Sequence, residues 1–552
     1  MLSIKNGQSE SQLKIACILD EFSYECLKYE AQLIPVTPTN WQDRLNKERP
    51  HFLFVESAWK GSNGAWQYKI GKYSNQTREE LQQMITWCKA RKIPTVFWNK
   101  EDPFHFHKFI DAAKLFDYIF TTDENSIKEY KKVMCHDRIY PLPFAAQPKI
   151  HNPIRNAPER LERLCFAGSY YANRHEERKK DLENLLDAAQ HYGLDIFDRN
   201  YPANQEIRMD FRYPERFEPY IRGNLPYDEV VSAYKRYKIM LNVNSIKNSP
   251  TMFSRRVFEI LACGTPVVSN YSCGIENLLG KNIVLMGHSK EDYQEAIEKL
   301  MTDSHLYDEM SIRGIREIYK HHTYRARLTQ IVRQIGYVLS EDDPPKVSVL
   351  SIVANQRQFQ WVCENYLRQS YTRCELIILS LADKTIGKFK RNEPGYSLCC
   401  LATEYVEDLN QAIHRYCDGD YIGWFHWCHY YGINYLLDLI NAGQYTESKI
   451  LGKVSYFVLD PLTHQLNAAN PKHELSFVSR IKLTHCILNK KLFAQLNLEK
   501  VQPYIQAIEI YMPNPQPTCT IFSADKYNFI EGFRFHCIEP PTQKKLEAMI
   551  NI

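Results

Sequence analysis

Arg256 and Glu259 lie three positions apart in the run Ser254-Arg255-Arg256-Val257-Phe258-Glu259-Ile260-Leu261-Ala262-Cys263-Gly264-Thr265-Pro266. A guanidinium presents a planar fork of donors that matches phosphate oxygens, and a carboxylate can accept hydrogen bonds from ribose hydroxyls. The pair therefore suits a ribose-linked diphosphate. The run reads as a helix with Ser254 at its N-cap, stopped at Gly264 and passing into a buried strand from Pro266. The helix start adds unpaired N–H groups and positive dipole for the same anion. On spacing alone, an amphipathic helix whose Glu259 pairs locally fits equally well.

Other polar residues cluster where apolar runs end. Leu164-Cys165-Phe166-Ala167 enters Gly168-Ser169, and a basic helix runs from Arg174 to Ala188; strand, small-residue turn and basic helix start make a plausible phosphate seat. Asn242 and Asn244 close the strand Ile239–Asn244 just upstream of the Arg256 helix. Glu56 follows the run 51–56. Glu101 and Asp102 follow Thr95–Trp98, with His105 close behind. The glycine-punctuated loop Lys60–Trp66 can close over a ligand, and Trp59 and Trp66 can stack on a sugar face or belong to a core. Glu56 has a local alternative in Lys60, Glu101 and Asp102 in capping the helix after Pro103, and His105 in a core position.

The elements that must hold these residues alternate. Short apolar runs at 13–20, 32–36, 51–56, 95–98, 118–121 and 139–142 are separated by helical stretches, one of them 78–92 with Thr77 as N-cap candidate. The same alternation resumes at 164–167, 195–197, 239–244 and 283–285, with a helix at 225–234 and a helical tail to about Val338. Such alternation predicts parallel, helix-covered sheets whose ligands sit beyond the strand carboxyl ends. A proline- and arginine-rich joint at 151–163 and an acidic, proline-containing linker at 339–346 divide the 552 residues into domains at 12–155, 160–338 and 346–552.

With 44% apolar and 24% charged residues each domain can bury a core, and a net charge of +4 argues against a dedicated nucleic-acid binder. The 16 cysteines are scattered without a C-x-x-C pair, which indicates neither a zinc ribbon nor a disulfide framework and points to a reducing cytoplasm. Neither a secretory h-region nor a run long enough to span a membrane is visible.

Arg256-Val257-Phe258-Glu259 with Ala262-Cys263-Gly264-Thr265-Pro266-Val267-Val268, preceded by Leu241-Asn242-Val243-Asn244 and followed by His322-Thr323-Tyr324-x-x-Arg327, resembles the CgeB-like (spore maturation) branch of the GT-B glycosyltransferases over residues 12–338. The resemblance implies two Rossmann-like domains facing across a cleft, a nucleotide-sugar donor and a cell-surface or spore-surface glycan acceptor. It implies Glu259 on the donor ribose and Arg256 near the diphosphate. With no metal motif in view, Gly168, Ser169 and Arg174 are further candidates for the diphosphate, and Asn242 or Asn244 for orienting the donor. The acceptor base is then expected from Glu56, Glu101, Asp102 or His105. A second glutamate of related transferases would fall at Thr251. The alternatives are a non-catalytic nucleotide-sugar or glycan-binding protein and, third, phosphotransfer in polymer assembly, for which no motif is present.

Residues 346–552 resemble a second transferase fold, the family-2 GT-A type, through Ser348–Val353, Gln369-Ser370-Tyr371, Glu375–Ile378, Leu409-Asn410 and Gly419–Ile422. Where that fold keeps metal-binding aspartates this chain has Phe425-His426-Trp427-Cys428-His429, and Ser380 replaces another. The domain is therefore expected to be catalytically retired and to serve acceptor binding, homo-oligomerisation or docking to assembly enzymes. Three of these residues within four positions are not expected to converge on one tetrahedral ion.

Overall fold

The computed structural model describes all residues except 7–8, 73–77, 156–158, 202–208, 341–342, 381–390, 394–395, 403–408, 461, 494–508, 512–519 and 536–539, so the N-cap candidate Thr77 lies outside the described residues. The chain forms two compact units, one of Met1–Pro153 with Glu159–Asp342, the other of Ile154–Pro158 with Asp343–Ile552.

The first unit contains two six-stranded parallel sheets. The N-terminal sheet is built from β1 (Lys14–Ile18), β2 (Gln32–Pro35), β3 (Phe52–Glu56), β4 (Thr95–Asn99), β5 (Tyr118–Thr121) and β6 (Ile139–Pro141), in the order β2-β1-β3-β4-β5-β6. The second is built from β7 (Leu161–Gly168), β8 (Leu194–Asp198), β9 (Ile221–Gly223), β10 (Tyr237–Asn242), β11 (Val267–Asn270) and β12 (Leu285–Gly287), in the order β9-β8-β7-β10-β11-β12. Strands such as β3 and β4 are buried at every position, which is why they read as unbroken apolar runs rather than alternating ones. Each sheet reverses its winding once, between β1 and β3 and between β7 and β10. The residues after these strands flank the crevice such folds reserve for ligands.

Helix starts shift by a residue or two from the sequence expectation. The basic helix is α1 (Glu176–Ala189), and the Arg256 helix is α2 (Arg255–Ala262). The final helix α3 (Tyr324–Gln334) ties the two halves of the unit together. Arg327 donates from Nε to the Pro143 carbonyl at 2.9 Å and from Nη2 to that of Phe144 at 3.0 Å, and Gln330 donates to Pro141 at 2.9 Å. The polar N-terminus, which carried no strand signal, forms a hairpin of Ser3–Asn6 and Ser9–Gln12, whose inner strand pairs with Val338–Leu339. Its order comes from a partner more than 300 residues away, which local patterning cannot reveal.

In the second unit Val347–Val353 lies parallel to both Cys374–Ser380 and Tyr421–Trp424, within a nine-stranded mixed sheet that continues antiparallel through Cys486–Asn489. Its core gathers Leu350, Ile377, Ile422, Trp424 and Leu488.

Candidate active site

A cleft of about 710 Å³ opens between the two halves of the first unit. Its donor-side wall starts at Gly168, where β7 ends. The Arg256 guanidinium donates to the Ala167 carbonyl, and a Cβ on Gly168 would lie 2.7 Å from Arg256 Nη1 and 2.9 Å from Phe166 Cζ. A side chain here would push the guanidinium or the Phe166 ring aside. Beside it Arg178, on α1, is 5% exposed; its Nη2 donates to the Ser169 carbonyl at 3.1 Å, and its Nη1 is buried with no hydrogen-bond partner. Burial, and then the neighbouring Arg256 charge, hold the Arg178 guanidinium down at about 10. A buried cation stands beside a partly buried one, an arrangement that an anion between them would relieve.

Arg178 carries no motif signal of its own; it stands in the first turn of α1, while Arg174 lies in the bend just before that helix. Arg174 itself is exposed at the cleft, its guanidinium 4.7 Å from the Tyr171 ring centre. Ser254 carries no side-chain cap; its N–H instead donates to Asn244 Oδ1 at 2.9 Å, leaving Ser254, Arg255 and Arg256 along the wall.

Three of the expected donor residues stand behind the wall. Asn242 and Asn244 are 2% exposed and bond to one another, to Ser269 and, through Asn244, to Asn270. They face the ends of β10 and β11, so their task is to fix the start of α2 rather than to meet a ligand. Glu259 is 2% exposed. Its Oε1 accepts from Arg255 Nη1 at 2.6 Å and its Oε2 from Tyr234 at 3.2 Å, with His151 Nε2 3.9 Å away. Burial pushes this carboxyl up, but Arg255, then His151 and Tyr234, outweigh it and the group lies below its ordinary range. Arg255 and Tyr234 present themselves to the cleft in its place. Thr251 is 7% exposed and joins the two halves: its hydroxyl donates to the Thr122 carbonyl at 2.8 Å and accepts from Glu124 N–H at 2.9 Å.

Across the cleft Glu101, Asp102 and His105 line the facing wall, and Glu56 does not. Glu56 is fully buried, paired with Lys100 Nζ at 2.8 Å and accepting the Asp20 N–H at 2.5 Å. Its partner is Lys100 and not Lys60, because a carboxylate shut away from water needs a charge beside it. Asp102 is 1% exposed; its Oδ1 accepts from Asn99 at 2.7 Å and its Oδ2 from Thr121 at 2.7 Å and Tyr130 at 2.9 Å. Burial lifts it to about 7, but its oxygens are spent inside the half.

Glu101 is the carboxylate left for the cleft. Burial raises it above the usual carboxylate range, opposed by a hydrogen bond from Trp59 and by Lys100. His105 is kept neutral by burial and by Lys108, down at about 4, with its ring centre 5.2 Å from that of Trp59. Trp66 is a core residue, fully buried with its indole N–H on the Val36 carbonyl at 2.8 Å. The loop carrying both tryptophans is pinned by Asp20, whose carboxylate accepts the N–H groups of Trp59, Lys60 and Gly61 at 2.8–3.0 Å.

Two parallel sheets whose strand ends face one cleft, with a basic wall opposite a carboxylate, frame the likeness to known proteins. Residues 174–333 match the glycosyl transferase-like family model. The stretch contains α1, α2 and all but the last residue of α3, and with them Arg178, Arg256 and Glu259. The chain is 24% identical over 185 residues to the spore protein CgeB of Bacillus subtilis strain 168, a match spanning 32% of this chain and 56% of that protein. The resemblance expected from the motifs is thus met by a partial relative. Similar solved structures include a glycosyltransferase of Rickettsia africae (10% identity, TM-score 0.38, 59% of this chain and 98% of that one) and Anabaena HepE in complex with UDP and glucose (10%, 0.37, 58% and 91%). A third is the sucrose-phosphate synthase of Thermosynechococcus elongatus (14%, 0.36, 59% and 99%). No helix of the described residues is long and apolar enough to cross a membrane.

Proposed function

We propose that the chain is a glycosyltransferase that moves a sugar from a nucleotide-sugar donor to a glycan acceptor in the cleft of its first unit. The carrying observation is the pair of guanidiniums, Arg178 and Arg256, over the Gly168-Ser169 turn, opposed by the raised carboxyl of Glu101. When the bond from the sugar to the diphosphate breaks, negative charge grows on the departing oxygen. Donors already fixed in place stabilise that charge without reorganising. The positive charge comes from arginines, so the transfer proposed here is metal-independent. The acceptor hydroxyl oxygen forms the new bond to the sugar as its proton passes to Glu101. The partial likeness to a spore protein supports a spore- or cell-surface glycan as acceptor.

Calorimetry with UDP-, GDP-, ADP- and CDP-linked sugars tests the donor side, and the proposal fails if none binds and none is turned over. Donor turnover by the wild type, with binding but no turnover in Glu101→Gln, supports the transferase. A second reading, a nucleotide-sugar binder without turnover, is favoured by the engagement of both Glu259 oxygens with protein groups. Binding without transfer or hydrolysis for any donor would select it. The second unit is proposed to take no part in transfer, since His426, Trp427, Cys428 and His429 offer no carboxylate.

A further inference from the structure

His426, Cys428 and His429 converge in the second unit despite their crowding in sequence. The His429 N–H donates to the His426 carbonyl at 3.1 Å, and this turn folds the three side chains to one side. Their ligand-type atoms all lie within 4.8 Å of one another; Cys428 Sγ is 2.8 Å from His426 Nδ1 and 3.4 Å from His429 Nδ1. The three ligand-type atoms thus lie closer together than their crowding in sequence suggests. In a tetrahedral zinc site with bonds of about 2.0–2.3 Å the ligand atoms stand roughly 3.3–3.7 Å apart.

We propose that His426, Cys428 and His429 form a binding site for one zinc-class divalent ion, with the fourth position open to water. Thiolate and imidazole select zinc-like ions over magnesium or manganese, which prefer oxygen. All three residues are buried, and His429 Nε2 has no hydrogen-bond partner. Behind His429 stand His485 and Glu531, within 4.8 Å of it as ligand atoms, with His485 Nε2 3.4 Å from Glu531 Oε1. Glu531 is already neutralised by Lys482, so it serves as an outer acceptor that orients imidazole rather than as a ligand. Loading costs one hydrogen bond, because His429 Nδ1 accepts the Gly532 N–H at 3.0 Å in the empty site. It converts the Cys428 thiol to a metal-bound thiolate and releases one proton to solvent.

The test is titration of the full chain, stripped with chelator, with Co2+. One equivalent is expected to bring visible d–d absorption and a near-ultraviolet thiolate-to-cobalt band, both removed by Zn2+. Cys428→Ser is expected to abolish the near-ultraviolet band and His426→Ala to weaken binding tenfold or more, while Cys135→Ser, at an exposed cysteine, leaves both bands intact. The proposal is overturned if no band develops at tenfold excess of Co2+, or if the near-ultraviolet band persists in Cys428→Ser. Should that variant fail to fold, His426→Ala with unchanged Co2+ affinity overturns it equally.

Discussion

Replacing Arg178 by methionine separates the needs of the ligand from those of the fold. In the free protein burial and the neighbouring Arg256 charge together hold its guanidinium near 10, well below its ordinary value. A base whose folded value is depressed destabilises the folded state at every pH below that value, here by about 3 kcal/mol at one unit per 1.4 kcal/mol. Methionine removes this cost and the charge-assisted bond to the Ser169 carbonyl, worth about 1.5–3 kcal/mol. The variant is therefore expected to be as stable as wild type or more stable by up to about 1.5 kcal/mol, read as an equal or higher urea midpoint. Nucleoside diphosphate binding is expected to weaken, because a charge-assisted hydrogen bond to phosphate contributes about 1.5–3 kcal/mol, or roughly 10- to 150-fold in Kd. Calorimetry with a nucleoside diphosphate and with the unphosphorylated nucleoside isolates the phosphate contribution. Equal loss for both ligands, or no loss for either, would refute the placement of Arg178 on the diphosphate.

Gly168→Ala sets a methyl group 2.7 Å from Arg256 Nη1 and 2.9 Å from Phe166 Cζ, so donor binding is expected to weaken about tenfold through a displaced guanidinium, as calorimetry would read. Thr251→Val leaves the Thr122 carbonyl and the Glu124 N–H unpaired between the two halves; a stability loss of about 2–4 kcal/mol is expected by denaturant unfolding. For Glu101, a proton must be absent for it to act as base and its folded value is raised. The acid limb of kcat is therefore expected above the ordinary carboxylate range, falling as pH drops through that value, and Glu101→Gln is expected to remove the limb together with the turnover.

What the chain alone determined is local in origin. The apolar runs of β1, β3 and β4, the Gly168-Ser169 turn and the α2 boundaries follow from periodicity and capping chemistry within a few residues of one another, and all are found close to where patterning put them. Glu101 and His105 were legible as cleft groups because they follow a strand, and strand ends gather at one edge of a parallel sheet; Arg256 was legible because it stands at a helix start. The partners of a buried charge come from elsewhere in the chain. Glu56 meets Lys100 and not Lys60, Glu259 meets Tyr234 and His151, and Thr251 spans to Thr122 and Glu124. Those contacts decide which acid faces the cleft and which is spent inside. The same holds for the imidazole and thiol cluster of the second unit, where a single turn and two distant residues, His485 and Glu531, make a site from side chains that spacing alone had set apart. Whether a charged group binds a ligand or a neighbour depends on what desolvates it, and only the folded chain supplies that surrounding.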